Sequence, residues 1–142
     1  MRDEALVHFH YGRLISAGVH FGSRGMDTPQ LLSEAAPWLD PRDPGKCVVG
    51  LCCAHAGLIE NICNAPPASW QSWMFRQWDD WFGRINGVFL LDLETLRLIQ
   101  HPMYRCDGTI VPCDLSAMPR RLQALDSIEN DLRPVNQDTI SP

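Results

Sequence analysis

Lysine is almost missing from this chain. Lys46 is the only one, against eleven arginines, and the formal net charge is −5. An acidic protein of this kind is excluded from binding nucleic acid through bulk positive charge. Any such contact has to be local, and arginine, with its planar fork, suits a local contact to phosphate or base. Long apolar runs are also missing, so no stretch is long enough to cross a bilayer as a helix. The opening Met1-Arg2-Asp3-Glu4 leads into a mixed segment, not into the apolar core of a signal peptide or an Arg- and Ser-rich transit peptide. No Gly-x-Ser-x-Gly, no phosphate-binding glycine loop and no zinc-protease histidine pair occurs.

The six cysteines lack the paired spacing of structural zinc knuckles. Cys52, Cys53 and His55 are close in sequence, with Cys47 and Cys63 nearby. They offer a weaker zinc option beside the plainer reading of buried thiols in a reducing compartment. No other cofactor is expected. Cys53 and His55 are neighbours without forming a nucleophile–base dyad. Asp79 and Asp80 read as a solvated face, and Asp92 as a helix cap. These absences predict a protein that is not an enzyme.

What is present predicts one α/β domain over residues 1–132 and a polar tail over 133–142. Asp3 to Ser16 carries apolar residues at helical spacing, with Gly18 as its stop. Gly22 to Pro29 reads as a loop and Leu31 to Ala36 as a helical turn. Cys47 to Cys53 is an apolar run predicted to be a buried strand. Ala54 to Cys63 is predicted to be a short helix. Trp70 to Phe82 carries an aromatic stripe at helical spacing, N-capped by Ser69. Its Trp73, Trp78 and Trp81 read as core or as docking points for a protein partner. Val88 to Leu93 is the clearest strand, bounded by Asn86-Gly87. Glu94 to Gln100 is predicted as a helix, Thr109 to Cys113 as a strand, and Pro119 to Leu132 as an amphipathic helix.

Two segments carry a family likeness. Leu14-Ile15-Ser16-Ala17-Gly18-Val19-His20-Phe21-Gly22 and, further on, Arg84-Ile85-Asn86-Gly87-Val88-Phe89-Leu90-Leu91-Asp92-Leu93-Glu94-Thr95 occur in this order. Together they resemble the S-two family, the second protein of the bacterial and organellar small ribosomal subunit. They cover about 21 residues. After Gly22 the chain departs from the family pattern, and the section 37–83 is divergent.

The resemblance implies a partial or reduced form of a doubly wound sheet flanked by helices. It implies a structural role in the small subunit of a mitochondrial ribosome, in the matrix, with a cytoplasmic ribosome as the alternative. The partners it implies are small-subunit rRNA and other small-subunit ribosomal proteins, with a second chain completing the fold as an option; no membrane is involved. RNA contact would run through Gly18, His20, Gly22, Ser23 and Arg24, in a loop that follows a helix, and through Arg84. Read from the residues alone, Gly18 and Gly22 bracket Val19 and Phe21 as core anchors, and His20 either faces phosphate or bonds a nearby carbonyl. The alternative function is a small acidic protein-binding or inhibitor module with no RNA role.

Overall fold

A computed structural model describes residues 2–65, 86–101 and 108–119. Its centre is the strand β1 (Ala5–Tyr11). The segment ALVHFHY alternates strictly: Ala5, Val7 and Phe9 turn one way, Leu6, His8 and His10 the other. Aromatic and β-branched residues at period two favour a pleated strand over a helix. The expected helix over Asp3 to Ser16 is therefore corrected to a strand and a turn. The turn centres on Gly12, whose φ of 59° is the left-handed geometry glycine tolerates. The chain then returns antiparallel as the two-residue β2 (Leu14–Ile15) and as β3 (Gly18–Phe21). Gly18 opens a strand; it does not end a helix.

A 3-10 turn over Gly25–Asp27 leads into α1 (Thr28–Ala35). A second 3-10 turn, Ala36–Trp38, precedes α2 (Pro44–His55). The run CVVGLCC thus lies in a helix, not a strand. Asp43 caps it, its side chain accepting from Lys46 N, and Pro44 takes the first turn, where a missing N–H costs nothing. Pro44, Cys47, Gly50 and Leu51 are its buried residues, at helical spacing. After a 3-10 turn at Ala56–Leu58 comes β4 (Ile59–Cys63), where a helix was expected. Then follow β5 (Val88–Asp92), β6 (Arg97–His101) and β7 (Thr109–Val111). The expected helix over Glu94 to Gln100 is instead a turn and a strand. Asp92 accepts from Glu94 N at 2.9 Å, which makes a turn rather than a helix cap.

The fold is α/β: the described residues form a mixed seven-stranded sheet of order β4-β3-β1-β5-β6-β7, with β2 beside β1, and two helices. β1 and β5 are parallel and the other pairs antiparallel. One sheet face, with Val7, Phe9, Val19, Phe21, Phe89 and Leu91, packs on Leu31, Leu32 and Ala35 of α1 and Cys47 and Leu51 of α2. The other face buries Leu6, Val88 and Leu90 in a second cluster. The register places four of the five histidines, His8, His10, His20 and His101, on this second face. The aromatic stripe and the 119–132 helix expected from sequence lie outside the described residues, apart from Pro119. No helix among the described residues is long and apolar enough to cross a membrane.

Candidate binding site at the β4 edge

Within the described sheet β4 is an edge strand, beside β3. Val19 pairs with Ile62 and His20 with Asn61, but Phe21 pairs with Ile59. The skipped residue is Glu60, which makes a β-bulge. A bulge re-aims the side chain it carries. Ile59 keeps its contact with the helix-side core, while Glu60 reaches the group formed by Glu4 and His20.

That group is built from the second sheet face. His20 Nε2 and Glu4 Oε1 are 3.0 Å apart, and both residues are buried. Glu4 sits two residues before Leu6, the direct partner of His20, so the pair is diagonal across the ladder. Arg2 lies outside the strand and donates through Nη1 to Glu60 Oε1 at 2.9 Å. Its Nη2 bonds Glu60 Oε2 and the Gly22 carbonyl. Nη1 is also 3.9 Å from Glu4 Oε1. The Glu60 hydrogen bond raises the Arg2 pKa above its ordinary value. Metal-binding atoms of Glu4, His20 and Glu60 all lie within 4.8 Å of one another. An open cavity of about 310 Å³ adjoins the group, lined by Arg2, Ser23, Leu58 and Glu60 among others.

The residues expected to touch RNA are divided by this geometry. Gly18 and His20 are buried in a strand with neighbours on both sides, not in a loop after a helix. A Cβ on Gly18 would stand 2.8 Å from His8 Cε1 and 2.8 Å from Leu6 Cδ1, so its glycine serves close packing. Val19 and Phe21 are core anchors as the sequence suggested. Gly22 is half-buried and accepts from Arg2. Ser23 and Arg24 are exposed, and Arg24, at a φ of 58°, pairs its Nε with Asp27 Oδ2 at 3.2 Å. Arg84, Trp73, Trp78 and Trp81 lie outside the described residues.

The zinc option through Cys52, Cys53 and His55 falls on the last turn of α2. His55 Nε2 is 2.7 Å from the Leu31 carbonyl and 3.7 Å from Glu34 Oε2. These three do not converge as a ligand group; among the described residues the converging group is Glu4, His20 and Glu60. Arg2, Glu4 and Glu60 are not evident as site residues in the sequence: Arg2 and Glu4 lie well before His20 in the chain, and Glu60 far after it. A strand reading of Ala5 to Tyr11 would have placed Glu4 on the face of His8. Nothing local announces Glu60, because only the bulge aims it.

No protein-family model, curated protein or solved structure matches this chain.

Proposed function

We propose that this protein is a small acidic recognition module that holds a basic protein segment along the edge of β4 and performs no chemistry itself. The observation that carries this reading is the edge itself: Glu60, Asn61 and Ile62 are consecutive, exposed and on the outermost described strand. An edge strand offers backbone N–H and C=O groups to an added strand, and its side chains set selectivity. The cavity at its start gives a side chain of the partner somewhere to enter. A net charge of −5 favours a basic partner over a polyanion and speeds their encounter.

The local charges point the same way. Arg2 is matched by Glu60 and Arg24 by Asp27, so neither guanidinium near the 18–24 stretch stands apart from a carboxylate. His20 faces Glu4, not solvent. The test is affinity purification of the tagged chain from its native cells, followed by gradient sedimentation. A single protein partner, no rRNA, and loss of the partner in Ile62→Lys support the reading. Co-sedimentation with small subunits overturns it.

A second reading, a structural protein of a mitochondrial small ribosomal subunit, keeps one favourable observation. Ser23 and Arg24, which directly follow the Ala17–Gly22 motif, are exposed on the turn leading to α1. The same gradient decides between the two. Incorporation of the chain into small subunits, weakened by Arg24→Ala, is the outcome this second reading requires.

A further inference from the structure

We infer that Glu4, His20 and Glu60 form a binding site for a divalent cation of the zinc class, and that Arg2 occupies the cation's position in its absence. Three observations converge on this. The first is the donor set: one imidazole nitrogen and two carboxylates with ligand atoms within 4.8 Å of one another. Zinc ligands stand about 2.0–2.2 Å from the ion, so only a small side-chain movement closes the group. The presence of an imidazole favours zinc-like ions over calcium or magnesium, which prefer oxygen alone.

The second is how the ligands are held. Glu4 and His20 are 5% and 6% exposed, each on a paired strand or at its immediate start. The Glu4 backbone carbonyl accepts from Asn86 Nδ2 at 2.8 Å, which fixes the chain beneath the carboxylate. Preorganised ligands of this kind are what a metal site requires. The third ligand, Glu60, is exposed and is delivered by the bulge.

The third observation is the cation already there. The Arg2 guanidinium bonds the Glu60 carboxylate and lies 3.9 Å from Glu4 Oε1. It lies outside β1, and its side chain is 58% exposed. It can therefore leave without disturbing a strand. Metal binding would exchange a single positive charge for a double one between two carboxylates.

The experiment uses the full chain and the metal alone. Calorimetric titration with zinc chloride is expected to show one site in the wild type. Glu60→Gln, an exposed change, should weaken it at least tenfold. Arg2→Ala removes the competing cation and should tighten it severalfold, an effect a purely structural salt bridge would not produce. Cobalt(II) should give a visible spectrum without thiolate charge transfer. No binding, binding indifferent to Glu60→Gln, weaker or unchanged binding in Arg2→Ala, or a thiolate spectrum each overturns the inference. The partner-binding reading stands or falls separately, on Ile62→Lys.

Discussion

His20 Nε2 lies 3.0 Å from Glu4 Oε1, both side chains buried on the second face of the sheet. The contact ties the end of β3 to the start of β1. Removing one member of a buried polar pair leaves the other desolvated without its partner, at about 1–3 kcal/mol. His20→Ala should therefore destabilise the fold by about 2 kcal/mol, read by urea unfolding. An unchanged midpoint would mean that the pair is not formed in solution.

Arg2 and Glu60 form the exposed half of the same group. Exposed ion pairs contribute little because solvent screens them and ordering long side chains costs entropy. Arg2→Ala should leave thermal stability nearly unchanged in metal-free buffer. A loss as large as that of His20→Ala would show that Arg2 is structural and would remove the reason to see it as a replaceable cation.

His8 gives the fold a pH dependence with a definite sign. Its Nδ1 donates to the Ser16 carbonyl at 2.9 Å, and burial lowers its pKa from 6.5 to about 4. Below pH 6.5 the unfolded chain takes up a proton that the folded His8 refuses until about pH 4. Stability from this group is thus complete above 6.5 and lost as pH falls toward 4, by about 3 kcal/mol in all. Denaturant titrations at pH 7 and pH 5 should show the loss, and His8→Leu should flatten it.

The cysteines should separate by reactivity. Cys47 is buried, its thiol donates to the Asp40 carbonyl at 3.0 Å, and burial pushes its pKa up to about 12. Cys53 is exposed on the same helix. Alkylation at mildly alkaline pH should modify Cys53 at once and Cys47 only on unfolding. Early modification of Cys47 would contradict the packing of α2 on the sheet.

Gly50 is where α2 meets the turn before it. A Cβ there would stand 2.1 Å from the Trp38 carbonyl oxygen, a backbone atom that cannot yield cheaply. Gly50→Ala should cost about 1–3 kcal/mol by overpacking, despite the better helix propensity of alanine. A gain in melting temperature would contradict this approach of helix and turn.

Much of the α/β pattern was legible, but its elements were partly exchanged. VFLLD read correctly because Asn86-Gly87 marks its start and aliphatic residues fill it. CVVGLCC was ambiguous in itself, since an unbroken apolar run suits either a buried strand or a buried helix. Asp43-Pro44 just before it carried the deciding signal. ALVHFHY carries two periods at once, because Leu6, Phe9 and Leu14 fit a helix by coincidence while the segment itself alternates as a strand. The candidate site was the least legible part. His20 was visible as a residue, but its partners Glu4 and Glu60 reach it through strand register and a bulge, and these are tertiary facts.

The most direct test of the recognition role is a photo-crosslinking amino acid placed at Ile62, with a control at Leu96, an exposed position in the β5–β6 turn. The β4 edge reading predicts one protein adduct from Ile62, none of it from Leu96, and its disappearance when Asn61 in the same strand is changed to Lys. Adducts to RNA, or the same protein captured equally from both positions, would contradict it.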